Sequence, residues 1–250
     1  MKNNFFLLNF DKYFFSKKIG NKSLSNFKNN NYWKSFKNHR DPDGKLRDLS
    51  KERKKKLEDL KNEIKFIKQT SKNKKKVRIL DLGSGFGYFL SVFRSKKFEK
   101  IGFELSNLAS KDSNKWAKIY QINIEKKIDQ SFIKELGKFD FIFCYHVIEH
   151  LNNPSQLIIN VRDLLKNDGH FIIGTPNFDS GCARLFKNNY RFFYDKTHVS
   201  FFSENSLYRL LVDHGLNVSK VDYPYFETQH FNLNNLKKLF NKKKISPSFY

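Results

Sequence analysis

The residues with the plainest chemical purpose lie in one short run, Asp81-Leu82-Gly83-Ser84-Gly85-Phe86-Gly87, which follows the apolar stretch Val77 to Leu80. Glycines in alternation let a backbone turn sharply through positive φ and let a ligand lie directly against it. The free N–H groups of such a turn, with the positive end of a following helix, favour an anionic group. The dinucleotide fingerprint is G-x-G-x-x-G, and here the third glycine comes one residue early, with Tyr88 where that pattern wants Gly. NAD binding therefore loses ground. Seventeen positions after Gly87, Glu104 closes the run Ile101-Gly102-Phe103-Glu104. An acid at the end of a second strand can accept hydrogen bonds from both hydroxyls of a ribose. Strand, glycine turn, helix, strand and terminal Glu in this order imply a ligand that carries one nucleoside.

A second set of residues offers proton transfer. His146 and His150 flank Glu149 in His146-Val147-Ile148-Glu149-His150, and His198 closes Asp195-Lys196-Thr197-His198. An imidazole takes up a proton near pH ~6.5, so each of the three histidines is chemically adequate as a general base. The first run also spells H-x-x-E-H, the zinc motif of the inverted metalloproteases. That motif needs a helix to put both histidines on one face, whereas His146 follows directly on an apolar strand and Asn152-Asn153-Pro154 interrupts soon after His150. No metal is assigned. Cys144 and Cys182 form neither a disulfide framework nor a C-x-x-C spacing.

These residues are positioned by alternating strand and helix patterns, the signature of βαβ units. The pattern predicts strands near 77–82, 99–104, 118–122, 139–144, 169–174 and 216–223, with helices near 86–96, 107–116, 129–136, 153–166 and 203–214. The expected fold is α/β and Rossmann-like, a mostly parallel sheet of six or seven strands with helices on both faces. Asn153-Pro154 offers an N-cap with proline at the first helical position, and Ser203 caps the last helix, with Phe202 placed to staple onto Leu207 and Gly215 placed to close it. Residues 1–31 show no sustained period and read as a poorly ordered lead-in. Residues 32–76 read as an N-terminal helical extension: Leu57, Leu60, Ile64 and Ile67 line one face of a helix starting near Ser50, after a turn signal at Arg40 to Gly44. Residues 77–250 form the main domain, and 177–200, the longest aperiodic stretch within it, should cover the acceptor side.

Composition narrows the classes further. With 250 residues and 39% apolar side chains the chain can enclose one full core. No stretch reaches the ~18 apolar residues of a membrane span, and the expectation is a cytoplasmic protein. A net charge of +23 ordinarily suggests a polyanionic partner. Here the lysines accompany many Asn, Phe and Ile residues, all specified by A/T-only codons, so a biased genome can supply them without such a partner.

Residues 77–177 resemble the core of class I S-adenosylmethionine-dependent methyltransferases. Asp81-x-Gly83-x-Gly85-x-Gly87 stands as their first motif and Glu104 as their second; the likeness runs on through Phe139 to Leu151, Leu164 to His170 and Gly174-Thr175-Pro176-Asn177. The order is similar to the branch that contains quinone-ring O-methyltransferases and methyltransferases of bacterial glycan and secondary metabolism. The resemblance implies S-adenosyl-L-methionine as cofactor, with Asp81, Gly83, Gly85 and Gly87 at its methionine portion, Glu104 at the ribose, Asn123 and Ile124 in the Tyr120 to Glu125 segment facing adenine, and Leu105 among the cofactor-binding residues. Asn123 stands where relatives often place an Asp, and its side-chain oxygen could accept the same hydrogen bond. In quinone-ring relatives an acid-rich segment comparable to His146–His150 is associated with a divalent cation, and His146 departs from their acid. Relatives also usually carry one more antiparallel strand after a segment like Ser246 to Tyr250.

Enzymes that methylate base amino groups carry an Asn/Asp-Pro-Pro-aromatic motif after the fourth strand, and Cys144-Tyr145-His146-Val147 is unlike it. The expected reaction is therefore O-methylation of a small molecule, sugar or lipid-linked acceptor, with nucleic acid not expected as partner. The alternatives are an RNA methyltransferase and a non-catalytic cofactor-binding module. His198 is favoured as proton acceptor because its segment should close over the acceptor. His150 comes second, and His146, expected nearest the cofactor, third.

Overall fold

Val77, Ile79, Leu80 and Leu82 belong to one extended segment, and all four are buried. A strand buried on both faces calls for a parallel sheet covered by helices on each side. The computed structural model describes residues 8–10, 12–17, 39–40, 46–48, 51–186, 193 and 197–223. Its first strands are β1 (Leu8–Phe10), β2 (Phe15–Lys17), β3 (His39–Arg40) and β4 (Leu46–Arg47), followed by helices α1 (Arg53–Asp59) and α2 (Lys61–Thr70). Then come β5 (Val77–Leu82), β6 (Phe98–Phe103), α3 (Asn107–Ser113), β7 (Lys118–Tyr120), α4 (Gln130–Leu136) and β8 (Phe139–Tyr145). The last elements are α5 (Pro154–Leu164), β9 (Leu165–Gly174), α6 (Gly181–Phe186), β10 (Ser200–Phe201) and α7 (Glu204–Asp213).

The main sheet is parallel throughout, in the order β7-β6-β5-β8-β9. Leu80 and Leu82 of β5, with Ile142 and Cys144 of β8, join α4, α5 and α7 in one core. Ile79, Phe141 and Phe143 face the other core, with Ile67 of α2 and the rings of Phe89 and Phe93. Asn153 caps α5 by accepting from Gln156 N–H, and Leu157, Ile158, Val161 and Leu164 form its buried face. Ser203 and Ser206 form a reciprocal capping box on α7, and Gly215 takes positive φ just beyond it.

The structure departs from the sequence pattern in several places. Among the described residues the sheet has five strands, fewer than expected, because residues 216–223 form no strand: Leu216 and Val218 pack on the core, while Lys220 and Tyr223 pair with Asp222 and Glu204. The alternation of that segment sets its burial without supplying a hydrogen-bonding partner. The segment expected to be helical over 86–96 holds only a short 3₁₀ turn, Leu90–Val92, since Phe89 is drawn inward to stack on Phe143 at 3.7 Å. The helix expected from Ser50 breaks at Leu60 into α1 and α2. Within the lead-in, β1 and β2 form a hairpin that extends to β10, with Ser200 opposite Ser16. The final strand of relatives would fall outside the described residues.

At the end of the sheet away from the glycine turn, Asp140 acts as a clasp. Its carboxylate accepts from Lys74 Nζ, Lys166 Nζ and the Arg78 backbone N–H, each at 2.9 Å, and is almost fully buried. Burial pushes this carboxyl up, but the three donors outweigh it and hold it below its ordinary value. Because the folded value lies below that of the unfolded chain, ~3.9, the stabilisation is complete above roughly pH 4 and is lost as pH falls through the folded value. Asp140→Ala should therefore cost about 2–4 kcal/mol in urea unfolding near neutral pH. The difference from the parent should shrink in acid.

Candidate active site

Strand register brings the chemistry together. Leu82 pairs with Phe103 on one side and Cys144 on the other, so Gly83, Glu104 and Tyr145 emerge level with one another at the carboxyl ends. The chain runs from β5 through β6 and β7 on one side, then returns to β8 and β9 on the other, and such a switch point opens a crevice for ligands. Gly83 N–H and Ser84 N–H both donate to Phe103 O, at 2.8 and 3.1 Å. This pins the turn, in which Gly83, Gly85 and Gly87 all have positive φ. A Cβ on Gly83 would lie 2.6 Å from Val147 Cγ2.

Two buried carboxyls face this turn. Glu104 accepts from Gly85 N–H at 2.9 Å and Ser106 N–H at 2.8 Å, one on each oxygen. Burial raises its pKa and those N–H groups only partly offset the rise. Asp81 is raised well above its ordinary value by burial, with the charge of Glu104 adding to the effect. Ser84 Oγ is buried with no hydrogen-bond partner. Two desolvated acids and an orphaned hydroxyl suit a ligand with an ammonium and hydroxyl donors, which is what the amino-acid and ribose portions of S-adenosylmethionine carry. Leu105, Ile122 and Ile124 line the adjoining wall of a cleft of about 1960 Å³. Asn123 instead turns its side-chain oxygen to Glu125 N–H at 3.0 Å.

The histidines gather beside β8. His146 follows the strand with φ 56°, the one positive value among non-glycine residues that are described. Its Nδ1 lies 3.1 Å from Glu149 Oε1, and the other Glu149 oxygen accepts from Thr175 Oγ1 at 2.9 Å. Burial alone would raise the Glu149 carboxyl, but the His146 hydrogen bond and the neighbouring imidazoles hold it down at about 2. His150 Nδ1 meets Thr197 O at 3.0 Å, and its ring stands 4.8 Å from that of His198. His146 and His150 line the cleft, whereas His198 is buried behind His150. Asp195 and Lys196 lie outside the described residues. One ligand atom from each of Glu149, His150 and His198 falls within 4.8 Å of the others. No metal is assigned to this set. Thr175 and Ser84 were not singled out by sequence reasoning, and Glu149 entered only as the acid of the H-x-x-E-H run. The available signal was Glu149 three residues after a histidine that ends a strand, a spacing that closes onto itself in the 3₁₀ turn Ile148–His150.

A five-stranded parallel sheet with a glycine turn, a pinned acid after β6 and a cleft at the switch point defines a class I methyltransferase fold. The sequence pattern of the methyltransferase-domain family matches residues 49–221, and the chain belongs to that family, the S-adenosylmethionine-dependent methyltransferases that its motifs resemble. It is similar to an uncharacterized protein of Methanocaldococcus jannaschii, 30% identical over 144 residues, covering 56% of this chain and 59% of that one. A ubiquinone biosynthesis O-methyltransferase of Glaesserella parasuis is 32% identical over 107 residues, or 40% of this chain and 45% of that one. The chain thus spans about half the length of the curated relatives it matches. The solved structure of a magnesium protoporphyrin IX methyltransferase from Synechocystis PCC 6803, with bound SAH, shares the fold. It has a TM-score of 0.58 at 14% identity and covers 79% of this chain and 90% of that one.

Gly83→Ala tests the turn itself. The added methyl meets Val147 in a left-handed backbone, so unfolding free energy should drop by about 1–3 kcal/mol. Adding Val147→Ala should restore the steric part and leave the conformational part, as read by urea denaturation of the single and double variants.

Proposed function

We propose that this domain binds S-adenosylmethionine against the glycine turn and transfers its methyl group to an oxygen of a small-molecule, sugar or lipid-linked acceptor. The observation that carries the reading is Glu104, a buried carboxylate fixed at the tip of the turn by Gly85 and Ser106 N–H. Each of its oxygens keeps a lone pair for a ribose hydroxyl. When bound, the cofactor supplies an electrophilic sulfonium methyl. The protein's own part is alignment and proton removal. Asp81 faces the ammonium, and Leu105 and Ile124 flank the base, with Asn123 beside them.

Transfer to oxygen is favoured by the likeness to ubiquinone O-methyltransferases, distant as they are. The RNA alternative draws on the net charge of +23. Against it, Cys144-Tyr145-His146-Val147 is unlike the Asn/Asp-Pro-Pro-aromatic motif of enzymes that methylate base amino groups. Among the described residues no helix is long and apolar enough to cross a membrane. The same reading makes the protein cytoplasmic.

Calorimetry with S-adenosylhomocysteine and NAD tests the proposal. Saturable binding of the first and none of the second is expected, and the reverse result would refute it. Glu104→Ala and Gly85→Val should each weaken S-adenosylhomocysteine binding, the former by roughly 10–100-fold, the worth of charge-assisted hydrogen bonds. Glu104→Gln, which keeps an acceptor oxygen, should fall between. Labelled cofactor supplied to a host-cell extract identifies the acceptor by the fraction that takes the label.

A further inference from the structure

We infer that His146 and Glu149 form a carboxylate–imidazole dyad in which His146 Nε2 takes the proton from the methyl acceptor, an inference that rests on the methyl-transfer reading above. His146 directly follows strand β8, where its backbone N–H donates to Gly174 O at 2.8 Å. Its left-handed conformation, φ 56°, is one that a side chain bearing a Cβ adopts only at a cost. Strain of that kind gathers where geometry serves chemistry. The imidazole it presents is half-exposed, while the Glu149 carboxylate behind it is almost fully buried.

The pairing sets the tautomer. A carboxylate accepts and does not donate when ionised, so the nitrogen 3.1 Å from Glu149 Oε1 must carry a hydrogen. Thr175 Oγ1 holds the other oxygen and stops the carboxylate from rotating away. The edge of Tyr145 against the imidazole, 4.8 Å between centroids, limits the ring's own rotation. Nε2 is then the ring nitrogen left with a lone pair, on a side chain that lines the cleft. As the acceptor oxygen forms its bond to the methyl carbon, the carbon–sulfur bond breaks and its electron pair stays on sulfur, leaving a neutral thioether. The hydroxyl proton moves to Nε2, and the positive charge that began on sulfur ends on the imidazolium, next to the fixed anion of Glu149. His198 is buried, and His150 turns its Nδ1 to the Thr197 carbonyl.

Two-bond ¹H–¹⁵N spectra of the histidine-labelled full chain, with His146 assigned by its loss in His146→Gln, give the first readout. At neutral pH the parent should show Nδ1 protonated and Nε2 bare, and Glu149→Gln should abolish that preference. The second readout is methyl transfer from labelled S-adenosylmethionine to the small-molecule fraction of a host-cell extract. Transfer should fall ~10²–10⁴-fold in His146→Gln and less in Glu149→Gln, while S-adenosylhomocysteine affinity by calorimetry stays within twofold of the parent. Near-parental transfer in His146→Gln, or an Nε2–H tautomer in the parent, would overturn the dyad. If the parent itself bound no S-adenosylhomocysteine, the methyl-transfer reading would fall and the proton-acceptor role with it, whatever the tautomer.

Discussion

The parallel pairing of β5 with β6 on one side and β8 on the other is the constraint on which the rest depends. Parallel strands bring like ends together, so the residues that leave these three strands meet in one place. Register sharpens this: with Leu82 opposite both Phe103 and Cys144, a slip of one residue would move Glu104 away from Gly85 and turn every side chain of the slipped strand to the wrong core. Because β5 and β8 are buried on both faces, each such slip would also expose large apolar side chains. Hydrophobic burial thereby fixes the position of a carboxylate to within a hydrogen bond.

The cost of that arrangement is electrostatic. Asp81, Glu104 and Glu149 are all buried at the carboxyl ends of the strands in a chain of strong positive charge. Their environments separate them. Asp81 and Glu104 are raised by desolvation, in the latter case despite its backbone donors. Glu149 has two imidazoles in its own turn, with a third supplied by the segment at His198, and it stays ionised. Two acids that lack cations suit a ligand that brings one; an acid already supplied with imidazoles suits proton management instead. One end of the sheet thus holds two chemically distinct subsites without any difference in residue type.

Much of this was legible from residue order. The run Val77 to Gly87, the acid at 104, the Asn153-Pro154 cap and the Ser203 cap each have a local cause, and each appears where the local rule puts it. What was not legible depended on distant partners. Phe89 and Phe93 have the spacing of a helix face, but the packing of Phe89 against Phe143 won over helix continuation. Leu216 and Val218 alternate like a strand, as do Val221 and Tyr223, yet no described strand offers them a ladder. The β1–β2 hairpin could not be read from residues 1–31, since its third strand comes from Ser200 and Phe201. Among the site residues, Glu149 and Thr175 come from different strands' ends, and only the β8–β9 register makes them neighbours.

That last pairing explains why the N-terminal hairpin matters to the site. Tyr13 OH donates to Asp213 at 3.0 Å, Phe14 packs on Phe202 and Phe15 on Phe178, so the hairpin braces α7 and the segment after β9 at once. Closing a loop of almost two hundred residues costs only a few kcal/mol more than closing a short one, because the entropy grows with the logarithm of length. The braced segment in turn bonds back to the histidine turn: Val199 N–H donates to Glu149 O, Ser200 Oγ to Leu151 O, and His150 Nδ1 meets Thr197 O. The backbone of Glu149 is therefore held by residues some fifty positions later, which are held by residues near the start of the chain. A carboxylate that must keep its distance to an imidazole within a few tenths of an ångström needs such support, since the 3₁₀ turn that carries it makes few hydrogen bonds of its own.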